Sequence, residues 1–282
     1  MTTPAPTSPR MPTLFISHGG GPWPWMDYGD ANPFAPLAEY LRGIPASLPS
    51  PPKAILMVSG HWEAPAFTVM THPQPPMLHD YGGFPEHTYR IRYPAPGAPQ
   101  LALRARALLQ TANLSTAEDA QRGFDHGAFT PLAVSYPEAR IPVAQLSLNA
   151  GYRPEDHLAA GRALAPLRDE GVLIIGSGLS YHNLRALFGG RSAHTDPTAD
   201  SLAFDTWLTA AVCSADPQDR NRRLAQWATA PAARKAHPRE DHLLPLLVAA
   251  GAAGADVGHK VFSDQTAMVP GAGIEISGFQ FG

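Results

Sequence analysis

The chain has 282 residues, 44% apolar and only 16% charged, with a formal net charge of -3. That length and composition suit one large α/β domain with a substantial core and exclude a disordered chain. Both charge signs are scattered, so neither nucleic acid nor a membrane surface is an expected partner, and no apolar run approaches the roughly 18 residues of a membrane span.

A single cysteine, Cys213, cannot close an intrachain disulfide, which points to the cytoplasm. The opening MTTPAPTSPR lacks the apolar stretch of a secretory signal and reads as a disordered tail over residues 1–10, ahead of one domain over 11–282. Twelve histidines outnumber the lysines. They are the unusual feature.

In chain order, an apolar run over Leu14 to Ser17 predicts a buried strand, ending at His18 and a Gly19-Gly20-Gly21 turn. The turn lacks the spacing of a nucleotide-binding fingerprint. Pro33 to Leu41 carries apolar residues at helical spacing. Ala54 to Ser59 repeats the strand pattern and runs into Gly60-His61, and Ala66 to Met70 predicts another strand near an edge. Residues His72 to Pro99 are dense in Pro, Gly and aromatics. A long irregular segment of that kind is expected to be a lid, with Tyr81, Phe84, Tyr89 and Tyr93 facing a ring-shaped ligand.

Gln100 to Gln110 predicts a helix, and His126 with Asp125 is expected on a loop. Ile141 to Leu148 predicts a buried strand and Pro154 to Glu170 an amphipathic helix. Val172 to Gly176 is a third buried strand, ending at Ser177-Gly178 with His182 beyond. Leu202 to Cys213, Asn221 to Ala230 and Asp241 to Ala253 predict helices, the last kinked at Pro245. Ile274 to Phe281 alternates and predicts a closing antiparallel strand. The fold class is α/β: one domain with a central mixed, mostly parallel sheet flanked by helices.

Three strands thus deliver Ser and Gly, then a histidine, at the carboxyl edge where open α/β sheets bind ligands. One such histidine could simply hydrogen-bond a strand end. His18 and His61 in the same context point instead to a metal site, imidazole being a good ligand for zinc and iron. His182, further from its strand, is either a third ligand or an acid–base group. Glu240 and Asp241 suit the first turn of a helix, whereas His242 opening an apolar helix is expected to face a cleft. No Gly-x-Ser-x-Gly elbow and no His-Glu-x-x-His occur, which disfavours serine hydrolases and zincin proteases.

The motifs SHGGG at His18, SGHWE at His61, HDYGGFP at 79–85, YPAPG at 93–97, GFDHGAF at His126, SGLSYHNL at His182 and EDHLLPLLVAAGAAG at His242 follow one another in order. In these the chain resembles the class III extradiol ring-cleavage dioxygenases, the small single-chain type acting on DOPA, from about Met11 onwards. The resemblance implies a non-haem metal held by His18, His61 and His242, with His182 as the acid–base histidine and His126 as a second pocket histidine. Asp80, Tyr81 and Asp125 would lie near the substrate. It further implies ferrous iron for turnover, with zinc able to occupy the site, and a catechol and O2 as the small-molecule partners. The wider class uses two histidines and a carboxylate, so His242 in the third position is a departure. A zinc hydrolase or a non-catalytic metal-containing binding protein on the same scaffold is the alternative. Oligomeric state is left open.

Overall fold

The computed structural model describes residues 9–29, 31–188, 196–265 and 273–282. Most of the expected N-terminal tail, residues 1–8, lies outside them, and Pro9 and Arg10 are exposed coil.

The strands are β1 (Thr13–Ser17), β2 (Ala54–Ala64), β3 (Phe67–Met70), β4 (Thr116–Asp119), β5 (Val143–Asn149), β6 (Val172–Gly178), β7 (Gly258–Asp264) and β8 (Ile276–Phe281). The helices are α1 (Ala35–Ser47), α2 (Pro99–Thr111), α3 (His126–Ser135), α4 (Pro154–Leu164), α5 (Pro166–Asp169), α6 (Leu184–Phe188), α7 (Pro197–Val212), α8 (Pro217–Ala225), α9 (Ala233–Ala236) and α10 (Leu244–Ala253). Among the described residues these strands join one eight-stranded sheet in the order β4-β3-β5-β2-β6-β1-β8-β7. The central four, β5-β2-β6-β1, are parallel. Their residues are almost all buried, which is why they read as unbroken apolar runs. β8 closes one side antiparallel to β1 and β7, and β3 turns antiparallel to β5 on the other. The sheet is mixed, as expected.

α10 packs on β6 and β1 and against α4, while α1 and α3 pack on each other, with α3 also on β2 and β6. Every residue of α10 is buried, so its apolar character all round marks a central helix and not an amphipathic surface one. Among the described residues no helix is long and apolar enough to cross a membrane.

Several elements depart from the sequence expectation for identifiable reasons. The segment over 154–170 splits into α4 and α5 at Ala165-Pro166, because a proline ring removes a helical N–H and crowds the preceding turn. α10 begins at Leu244, so Pro245 sits in the first turn, where its missing N–H costs nothing, and no kink follows. His242 therefore lies on the turn before the helix. His126 is not on a loop: it is the first residue of α3, capped by the Asp125 side chain on the Ala128 N–H at 3.1 Å. β2 continues to Ala64, so His61 is within the strand and not beyond it.

Candidate active site

Three elements deliver three histidines to one point at the carboxyl edge of β1, β2 and β6. His18 follows β1 directly. His61 is presented by an irregularity in β2: Val58 faces Leu146 and Glu63 faces Leu148, so five positions on β2 span two on β5. The surplus chain bends out of the ladder, as a bulge does, and re-aims the side chain. The Ser59 hydroxyl secures the bend, accepting from the His61 N–H at 3.2 Å and donating to Asp125 Oδ1 at 2.7 Å. His242 is pinned to the end of β6, where the Leu179 N–H donates to its carbonyl at 3.1 Å. Gly178 makes this approach possible, because a Cβ there would stand 2.1 Å from the His242 carbonyl oxygen. Gly127 does the same for α3: a Cβ would meet Ser59 Oγ at 2.3 Å and the His61 ring at 2.9 Å.

One ring nitrogen each of His18, His61 and His242 falls within 4.8 Å of the others, and the Nε2 atoms of His61 and His242 are 3.1 Å apart. In each case an oxygen engages the other nitrogen. His18 Nδ1 donates to the Gly19 carbonyl at 2.9 Å, His242 Nδ1 to Asp241 Oδ2 at 3.0 Å, and His61 Nδ1 lies 3.3 Å from Asp80 Oδ2. The hydrogen bonds on His18 and His242 Nδ1 set the tautomer and turn Nε2 toward a common centre, the usual support for metal-binding imidazoles, and at His61 the Asp80 carboxylate stands opposite the same nitrogen. His18 Nε2 is buried with no hydrogen-bond partner in the protein. A buried lone pair left unpaired is costly unless a ligand takes it, so these donors fit a metal ion. Burial first, and then the neighbouring imidazoles, hold all three histidines well below their ordinary pKa. They are neutral and available as ligands at neutral pH.

His182 and His126 flank this centre. The His182 ring stacks on that of His242, centroids 3.4 Å apart and 16° from parallel, and its backbone N–H donates to the Ala236 carbonyl at 2.9 Å. Burial lowers its pKa; the Asp241 carboxylate pulls it up, and His126 pushes it down again. The His126 ring centroid lies 3.9 Å from that of His61. Both the backbone N–H and Nδ1 of His126 donate to Asp80 Oδ1, each at 2.9 Å. Burial alone would raise the Asp80 pKa, but the hydrogen bonds and charge of His126 outweigh it and hold the carboxyl below its ordinary value.

The five histidines open onto a cavity of about 640 Å³ walled by Tyr28, Phe34, Tyr81, Phe84, Leu184 and Phe188. His61, His182 and His242 also line a second, more polar recess of about 480 Å³ with Glu63, Arg122 and Arg239.

The structure therefore brings His18, His61, His126, His182 and His242 together with Asp80 and Tyr81. It does not bring Asp125 to the cavity. That carboxylate is fully buried and taken by Ser59, Arg122, Gln145 and the Ala128 N–H, behind the histidines. It corrects the expectation of substrate contact: no face of Asp125 is left for a ligand. Tyr93 is likewise not a cavity wall; it is buried with its hydroxyl donating to the Tyr136 carbonyl at 3.1 Å. Glu240 is paired with Arg234 at 2.7 Å, whereas Asp241 serves His242. Tyr28, Phe34, Leu184 and Phe188 carried no sequence signal beyond being apolar near glycine and histidine motifs.

A mixed α/β sheet with a histidine centre at its carboxyl edge is the arrangement of a metal-dependent family. Residues 12–274 match the family described as the catalytic LigB subunit of aromatic ring-opening dioxygenase, and the chain belongs to it, among the class III extradiol dioxygenases. A Beta vulgaris protein named 4,5-DOPA dioxygenase extradiol is 40% identical over 248 residues, 86% of this chain and 87% of that one. A dioxygenase of Hapsidospora irregularis is 36% identical over 269 residues, 90% of this chain and 82% of its own. The crystal structure of an uncharacterized Escherichia coli K12 protein superposes with a TM-score of 0.75 at 29% identity, covering 97% of this chain and 100% of that one.

Proposed function

We propose that the chain is a catechol ring-cleaving dioxygenase with His18, His61 and His242 as its metal ligands and ferrous iron as the working metal. The observation that carries this reading is the convergence of three neutral imidazoles, one with its Nε2 buried and unpartnered, at the floor of an aromatic cavity. Family membership and the relatives' names support the same activity.

Bound at the three histidines, ferrous iron would supply the electron path between a catechol and O2; zinc has no redox change to offer and would report occupancy only. The protein's part is binding, orientation and proton movement. Tyr81, Phe84 and Phe34 offer ring faces and edges to a planar substrate, and their apolar surface excludes water from the reacting carbons. His182, neutral and beside the centre, takes the proton of the second catechol hydroxyl at a ring nitrogen and returns it as the ring opens. His126, oriented by Asp80, presents its other nitrogen to substrate or oxygen. Both atoms of O2 enter the product, a muconic semialdehyde formed by breaking the ring bond beside the hydroxyl pair. A cytoplasmic setting fits the single cysteine.

The test is an oxygen electrode combined with metal analysis. Protein loaded anaerobically with ferrous iron is expected to consume O2 with at least one member of a catechol panel and to form a yellow, visibly absorbing product. No uptake across the panel, with iron verified in the protein, would sink the proposal.

A further inference from the structure

Asp80 touches two histidines of the site, His126 and His61, from an element outside the sheet. Its Oδ1 accepts from the backbone and ring of His126, and its Oδ2 lies 3.3 Å from His61 Nδ1. It belongs to the aromatic segment over the cavity. That segment is stitched to the chain leading into α3: the Leu78 N–H donates to the Phe124 carbonyl at 2.8 Å and the Phe124 N–H to the Pro76 carbonyl at 2.9 Å. Within it, the Tyr81 hydroxyl donates to the Thr88 carbonyl at 2.7 Å, and His79 Nε2 donates to the Ile91 carbonyl at 3.1 Å. Its other ties, His87 Nε2 to the Trp25 carbonyl at 3.0 Å and the Tyr93 hydroxyl to the Tyr136 carbonyl at 3.1 Å, are likewise single bonds and not a ladder, and a segment held so opens locally at lower cost than the sheet. When it does, His126 and His61 lose their carboxylate together.

We infer that Asp80 is a positioning residue that couples seating of the aromatic segment to metal retention at the three-histidine centre. The inference rests on reading His18, His61 and His242 as metal ligands. His242 has its own carboxylate, Asp241, adjacent in sequence and independent of the segment, and His18 uses a backbone carbonyl. Of the three, only His61 has its Nδ1 faced by a residue of the segment, Asp80 at 3.3 Å. Coupling of this kind is reciprocal, so metal must in turn hold the segment down.

Zinc serves as the probe, with affinity read by competition against a chromophoric chelator and segment order by amide hydrogen exchange over residues 76–93. In the wild type, zinc is expected to slow exchange across the segment. Asp80→Asn and Asp80→Ala should weaken zinc binding by about 10-fold to 100-fold, as loss of an orienting partner typically does, and abolish the metal-linked slowing. Asp241→Asn should weaken zinc comparably yet keep the slowing. Faster exchange in the Asp80 variants with wild-type zinc affinity would reduce Asp80 to a structural clip and overturn the inference. So would loss of the slowing in Asp241→Asn, because the coupling would then not run through Asp80. His18→Ala separates this from the reading beneath it. If wild-type protein binds zinc no better than His18→Ala, the metal centre itself fails and the inference with it. If it binds zinc through His18 but Asp80 has no effect, only the inference fails. None of these readouts needs turnover.

Discussion

The two sides of the site are built differently. On one, His18, His61 and His242 hang from the end of β1, a bend within β2 and a turn, whose backbones touch the buried core, with Gly127 and Gly178 allowing contact closer than any side chain permits. On the other, Asp80, Tyr81 and Phe84 stand on a segment without regular structure apart from a 3-10 turn at Glu86–Arg90. The first side has almost no freedom to move; the second is tied by a short set of hydrogen bonds. A rigid donor set preserves metal geometry, while a lightly held cover can admit and then enclose a substrate. The difference suggests that metal affinity and substrate affinity respond to separate sets of substitutions, with Asp80 at their junction.

The largest expected effect falls on the rigid side. His61→Ala should lose the metal altogether, measured as metal per protein after dialysis, with turnover at background. Wild-type metal content in that variant would remove His61 from the donor set. His182→Ala should keep its metal yet lose about 10²- to 10⁴-fold in kcat, the usual worth of a general acid–base group. An equal loss of metal would make it a ligand and collapse its separate role. Next comes the packed interior behind the rigid side. Burial holds His157 and His237 near pKa 4, against roughly 6.5 in the unfolded chain. Below about pH 6.5 the unfolded state binds protons that the folded state refuses, so stability falls with pH and the loss saturates near pH 4. Each histidine should cost about 3 kcal/mol by then. Denaturant midpoints of metal-free protein across that window give the measurement, and a flat profile would contradict it. Gly178→Ala is expected to cost about 1–3 kcal/mol by overpacking and to weaken metal binding by displacing His242. The smallest change probes the cover: Tyr81→Phe loses the bond to Thr88, worth about 1 kcal/mol, and should raise KM about fivefold with kcat nearly unchanged.

Much of the rigid side was legible in the sequence, because buried parallel strands are written as unbroken apolar runs and their histidines follow at once. β4 and β7 were not. Thr116–Asp119 is a short, polar edge strand and Gly258–Asp264 exposes His259, Val261 and Ser263, so neither carries the signal of burial. Among the site residues, Asp125 was misread because its neighbour His126 faces the cavity while the Asp125 side chain caps the helix and turns back toward Ser59. Asp80 was expected near the substrate and does line the cavity, but its place between two histidines was not legible. Its partners lie 46 residues ahead in His126 and on a different element in His61. Nothing in local spacing announces a carboxylate shared across such distances.

The stretch of β2 between Val58 and Glu63 has a consequence of its own. Pairing with β5 is regular before it and resumes after it, and Ser59 stays paired with Ser177 of β6, so Gly60 to Trp62 are the residues outside both ladders. A one-residue insertion or deletion among those three would change the reach and heading of His61 and, with them, the seat of the buried Trp62 ring. The fold thus contains a place where chain length sets the heading of a histidine of the site, coupled to how Trp62 packs in the core.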